Sequence, residues 1–239
     1  MISHHDKCLF IHIPKAAGQS VESIFVSRMG LTWEQREALL LRPNSDPSKG
    51  PPRLAHLTAS EYLGLGYVSE AQFSQYIKFS FVRNPWARMV SEFKYRQGLG
   101  EQAYQGKFKD FLFKRFPLPS ADNYALAKDG YRHILPQWQF LYDKEGRQLV
   151  DFIGKFENLQ TDFNQICQLL NIPQQNLPHR NKTLALSFTK RLRHKFLQII
   201  PALGHKPHYS DYYDSESQEF IRQRYQRDIE LFDYTFECE

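Results

Sequence analysis

A chain of 239 residues and 28.3 kDa with 41% hydrophobic and 15% aromatic residues can build one large α/β core, which excludes wholesale disorder. Its 31 basic and 26 acidic side chains leave a formal charge of +5, a mild excess that suits an anionic cofactor and calls for no nucleic-acid partner. The three cysteines, Cys8, Cys167 and Cys238, are too sparse for a disulfide framework and lack metal-ligand spacing, and no run reaches the ~18 apolar residues of a membrane span.

Residues Lys7 to Ile13 read as a buried strand. Pro14 and a small-residue loop, Lys15-Ala16-Ala17-Gly18-Gln19-Ser20, lead into a helix over 18–29. Strand, tight loop and helix together present bare N–H groups and the positive end of the helix dipole to an anion. Lys15 adds a mobile charge, and Gln19 and Ser20 add neutral donors. The bland alternative is an ordinary strand-to-helix turn with a surface lysine. The G-x-x-x-x-G-K-[ST] loop of nucleotide hydrolases is absent, because Lys15 stands at the start of this loop. A G-x-G-x-x-G motif is absent too.

A helix over 33–41 follows, with Thr32 as its cap. Residues 42–53 hold four prolines and a glycine, so we expect an irregular lid or substrate edge there. Thr58 and Glu61 form a capping box, which places His56 on the connection just before a helix. A lone histidine there more often satisfies loop backbone than performs chemistry. A second apolar strand, 77–82, runs into Arg83-Asn84-Pro85. Pro85 suits the first position of a helix, and Arg83 then stands at the carboxyl end of the strand, where open α/β sheets bind ligands. Ser91 reaches that rim only if the helix packs across it. Arg88 is expected to bridge to protein. Phe108, Phe111, Leu112, Phe113 and Phe116 suggest a helix with a core face, and 149–156 a third strand followed by a helix to about Leu170. The basic loop Leu177 to Thr183 could close over a nucleotide, and 215–233 reads as one amphipathic helix.

HIPKAAGQS, HLTASEY, FVRNPWARMVSEF and DFIGKFENLQTDFNQICQLLNIP, taken together, resemble sulfotransferases that use 3′-phosphoadenosine 5′-phosphosulfate (PAPS). The form is closest to the family that includes the glycosaminoglycan 2-O-sulfotransferases. FVRNPWARMVSEF follows that family's R-N-P-x-x-R-x-x-S-x-[FY] element without departure. The resemblance implies a central parallel sheet flanked by helices, with a P-loop-like phosphosulfate loop, in a single domain over 1–239. It implies that Lys15, Ala16, Ala17, Gly18, Gln19 and Ser20 hold the 5′-phosphate, that Arg83 and Ser91 hold the 3′-phosphate, and that Asn181, Lys182 and Thr183 border the cofactor. His56 becomes the general base, with His179 in reserve, and Lys15 the group that neutralises charge on the departing oxygen. No metal is implied. The product would be adenosine 3′,5′-bisphosphate, and the acceptor a hydroxyl on a saccharide. Eukaryotic members are anchored in the Golgi; without an anchor or signal peptide, the expectation is a cytoplasmic, bacterial protein. Two other classes stay open: a phosphotransferase or nucleotide hydrolase on a related fold, and a nucleotide-binding module without catalysis.

Overall fold

The computed structural model describes residues 1–178 and 207–237. The expectations for His179, Asn181, Lys182, Thr183 and Cys238 lie outside those residues. Four strands form one sheet in the order β1 (Ile2–Ser3), β2 (Cys8–Ile11), β3 (Ile77–Val82) and β4 (Phe152–Lys155). Strands β2, β3 and β4 are parallel, with Phe10 beside Phe79 and Ser80 beside Ile153; the two-residue β1 adds an antiparallel edge. Every residue of β2, and Lys78 to Val82 of β3, is buried. Successive side chains point to opposite faces, so both faces of the sheet are covered, as parallel sheets require. The expected α/β architecture is the one found.

Each parallel strand hands the chain to a helix at its carboxyl end. Strand β2 leads through the loop to α1 (Gly18–Arg28). Two short helices, α2 (Ala59–Gly64) and α3 (Glu70–Gln75), precede β3, which leads to α4 (Pro85–Gly98). Next come α5 (Phe108–Lys114), α6 (Gly130–Ile134) and α7 (Trp138–Leu141); β4 then leads through a 3-10 turn to α8 (Leu159–Leu169). The starts are written in the sequence. Thr58 accepts from the Glu61 amide ahead of α2, and Asn84 accepts from the amides of Trp86 and Ala87 at the head of α4, where Pro85 needs no acceptor.

Two apolar clusters form. One surrounds the sheet and holds Phe10, Phe25, Phe79, Phe81, Phe163 and both described cysteines. The other is aromatic: Trp86, Met89, Val90 and Phe93 of α4 pack with Tyr104, Phe108, Phe111, Ile221 and Tyr225.

Three elements differ from expectation. The segment 33–41 is a 3-10 helix, Trp33–Leu39, whose capping box pairs Thr32 with Gln35 and which ends at Leu40 in the left-handed region. The 42–53 segment is irregular but contains a 3-10 turn at Pro47–Lys49 and a bridge between Pro43 and Arg53. The terminal helix is two helices, α9 (Ser215–Arg224) and α10 (Gln226–Leu231), broken at Tyr225. Tyr225 there donates its hydroxyl to the Ile134 carbonyl at 2.6 Å. Such long-range anchors override a helical periodicity that local propensity alone would continue.

Candidate active site

After β2 the chain turns twice through the left-handed region, at Lys15 (φ 69°) and Ala17 (φ 66°). Neither is glycine, so the loop holds two unfavourable backbone conformations, a feature that clusters at binding sites. The Ala16 amide donates to the Ile13 carbonyl and the Ser20 amide to the Ala17 carbonyl. The amides of Ala17, Gly18 and Gln19 have no acceptor among the described residues. They stand at the start of the 11-residue α1, which makes them a ready anion seat. Gly18 is required by space: a Cβ there would lie 1.9 Å from Nε2 of His12.

Lys15 rises from this loop half-buried, its Nζ 3.9 Å above the Tyr95 ring centroid. Burial pushes its ammonium down to about 8, against the pull of Glu92. His56 ends a 3-10 turn, Leu54–His56, immediately before α2. Its Nδ1 lies 3.4 Å from the His12 carbonyl oxygen. A carbonyl only accepts, so the ring hydrogen sits on Nδ1 and Nε2 keeps its lone pair. Burial drives the His56 pKa well below its ordinary value, and the charges of His12, His133 and Arg53 push the same way. Lys15 and His56 line one cavity of about 340 Å³, together with Ala17, Gly18, Gln19, His12 and His133.

The walls around His56 are imidazoles backed by carboxylates. The His12 ring meets His56 edge-on at 4.7 Å between centroids, and the His133 ring does so at 5.0 Å. Nδ1 of His12 lies 2.6 Å from Glu22 Oε1, and Nδ1 of His133 lies 3.2 Å from Glu92 Oε1. Burial alone would raise both carboxyls. The His12 charge and hydrogen bond hold Glu22 below the usual range, and His133 with Arg96 holds Glu92 down to about 2.

Arg83 stands where β3 ends, with its backbone clamped by one side chain. Gln137 accepts from its amide and donates to its carbonyl, both at 2.8 Å. Its Nη1 donates to the Lys15 carbonyl at 3.1 Å, and its guanidinium lies 4.1 Å from the Phe156 ring. Its Nε is buried without a partner among the described residues. Burial pushes this guanidinium down to about 10, against Glu157. Arg83 therefore backs the loop and does not line the cavity. Arg88 is the expected protein bridge: fully inside, it donates to the carbonyls of Pro14, Leu135 and His133. Ser91 is half-buried on α4, one turn before Tyr95 and so on the helix face that meets Lys15. The structure thus gathers Lys15, Ala17, Gly18, Gln19 and His56 around one cavity, buries Ala16 and Ser20 away from it, and sets Arg83 behind the loop and Ser91 on the adjoining face.

A profile of the Sulfotransferase family matches residues 1–235. The chain belongs to that family. It is 27% identical to carbohydrate sulfotransferase 14 of Danio rerio over 143 residues, 53% of this chain and 38% of that one. With the Mus musculus protein of the same name it shares 24% over 196 residues, 72% of this chain and 46% of that one. The chain therefore spans less than half the length of these two relatives. An uncharacterized protein of Archaeoglobus fulgidus is 27% identical over 108 residues, 45% of this chain and 78% of that one. No solved structure matches the chain. No helix among the described residues is long and apolar enough to cross a membrane.

For a sulfotransferase-family site, sequence reasoning missed His12, Glu22, His133 and Glu92. His12 reads as a packed strand residue because it continues the apolar run of β2. One signal was available: Glu22 stands five residues into α1, near the start of a helix that the loop folds back beside the strand. His133 gave none, since its 41-residue separation from Glu92 is closed by the tertiary fold.

Proposed function

We propose that this protein is a sulfotransferase that moves the sulfuryl group of PAPS to a hydroxyl, and that the acceptor is a carbohydrate. One observation carries the reading: Lys15 and His56 share a cavity whose floor is a helix-opening loop with three free amides. The residues fit a nucleotide with two anionic ends. The amides of Ala17, Gly18 and Gln19 with Lys15 would hold the 5′ end, and the orphaned Nε of Arg83, with Ser91, would serve the 3′-phosphate. Asn181, Lys182 and Thr183 complete this assignment by family resemblance alone. When bound, PAPS supplies the sulfuryl group: the acceptor oxygen bonds to sulfur, and the bridging S–O bond breaks with its electron pair on the 5′-phosphate.

The protein's part is positioning and charge. His56 Nε2 takes the acceptor's proton, and its Nδ1–H bond to His12 fixes the tautomer that makes this possible. Lys15 neutralises charge that grows on the departing oxygen. Trp33, Arg36, Arg42 and Arg53 line the same cavity and would form its acceptor side, the last two belonging to the segment read as a lid or substrate edge. The carbohydrate acceptor is supported by the names of the relatives, carbohydrate sulfotransferase 14. The test is incubation with sulfur-labelled PAPS and a panel of oligosaccharides. Labelled sulfate esters and equimolar adenosine 3′,5′-bisphosphate are expected. Phosphoryl transfer from ATP with none from PAPS would overturn the reading in favour of a phosphotransferase. Tight nucleotide binding with no transfer to any acceptor would leave a binding module.

A further inference from the structure

We infer that His12, anchored by Glu22, is a third member of the reaction centre and donates a hydrogen bond from Nε2 to the group being transferred; the inference rests on the sulfotransferase reading above. His12 is 7% exposed, yet it lines the cavity with Lys15 and His56. Its Nδ1 is committed to Glu22 at 2.6 Å. Its Nε2 makes no hydrogen bond to the described residues. A Cβ on Gly18 would lie 1.9 Å from Nε2, 2.1 Å from Cδ2 and 2.2 Å from Cε1, so the loop packs over the ring face at its Nε2 edge. The free amides of Gly18 and Gln19 begin at the same point. The His12 ring therefore lies beside the phosphate seat on one side and His56 on another.

The setting of His12 follows from its neighbours. Glu22 of α1 faces it on Nδ1, with Arg36 and the chain amino terminus near that carboxylate. His56 borders it from the turn before α2, and Lys15 from the loop. Donation from Nε2 uses the ring with hydrogen on both nitrogens, Nδ1 toward Glu22 and Nε2 toward the cavity. His12 then donates to sulfuryl oxygens that Lys15, aimed at the bridging oxygen, does not serve. No bond to His12 is formed or broken. Gly18 carries a second duty here, since any side chain at that position would push the donor away.

PAPS and adenosine 3′,5′-bisphosphate differ by the sulfuryl group, so their affinities isolate the contact. Calorimetry on the full chain should show His12→Phe binding PAPS about tenfold more weakly, with bisphosphate affinity within about twofold of wild type. His12→Gln, whose amide N–H reaches toward the Nε2 position, should recover part of the loss, and Glu22→Gln should fall between them. In the wild-type protein, the Nε2 resonance of His12 in nitrogen-15 spectra should shift further with PAPS than with the bisphosphate. That readout does not depend on any variant folding. Equal loss for both nucleotides, no loss for either, or an Nε2 resonance indifferent to PAPS would overturn the assignment. A wild-type protein that binds neither nucleotide would instead overturn the sulfotransferase reading itself.

Discussion

His56, the proposed base, sits in surroundings that keep it neutral. Burial disfavours its charged form, and His12, His133 and Arg53 add repulsion. A depressed folded pKa means the lone pair survives below the ordinary histidine value, so the acid limb of turnover should lie well below pH ~6.5. Replacing His56 by Ala or Asn should lower sulfation by ~10²–10⁴-fold with bisphosphate affinity near wild type. A limb centred at pH 6.5, or normal turnover by the alanine variant, would remove His56 from this role. Lys15 titrates in the opposite sense. Its ammonium is pushed to about 8 by burial, so the charge proposed to hold the phosphate is full below that pH and lost above it. Bisphosphate affinity should be flat below pH ~7 and weaken as pH rises past 8, while Lys15→Met should bind weakly at every pH. Parallel pH profiles for the two proteins would show that Lys15 is not the titrating anchor.

At the scale of elements, the strand-to-helix turns explain what could be read in advance. The 77–82 strand, the Pro85 start and the Thr58 capping box are local features, and each is found where the residues put it. The loop was legible because small residues followed by a helix have few alternatives. The faces of β2 were not legible: all of its residues are buried, so no alternation told one side from the other. The break at Tyr225 and the pairing of Glu92 with His133 depend on contacts across the fold that no spacing encodes. The loop itself offers a test. Gly18→Ala places a methyl group against the His12 ring, and either the ring or α1 must shift. Overpacking of this kind costs ~1–3 kcal/mol. Melting temperature and PAPS affinity should fall together, and a crystal structure should show His12 displaced. An alanine variant with unchanged affinity would mean that the loop tolerates a wider opening than its geometry indicates.

Across the whole molecule, the C-terminal helices are bonded to Arg83, the residue proposed for the 3′-phosphate, from a distance. Asp228 on α10 accepts the amides of Gln137 and Trp138 at 2.8 Å, one on each carboxylate oxygen. Gln137 clamps the Arg83 backbone, and Arg83 holds the Lys15 carbonyl. Residues 15, 83, 137 and 228 thus form one chain of bonds from loop to terminus. Burial raises the Asp228 carboxyl to about 6 even against these two bonds, so the position is retained at a cost in stability. Asp228→Asn replaces one acceptor by an amide that faces an N–H group. The lost bond and the unsatisfied donor should cost ~1–3 kcal/mol. If the chain positions Arg83, the variant should also lose several-fold of its preference for adenosine 3′,5′-bisphosphate over AMP. Ile166→Val in α8 supplies the comparison, since its cavity cost of ~0.5–1.5 kcal/mol lies in the sheet core away from Arg83. It should lower the melting temperature and leave nucleotide preference intact. Should Asp228→Asn behave as Ile166→Val does, the bond chain would be structural only, and the aim of Arg83 would be set by Phe156 and the Lys15 carbonyl alone.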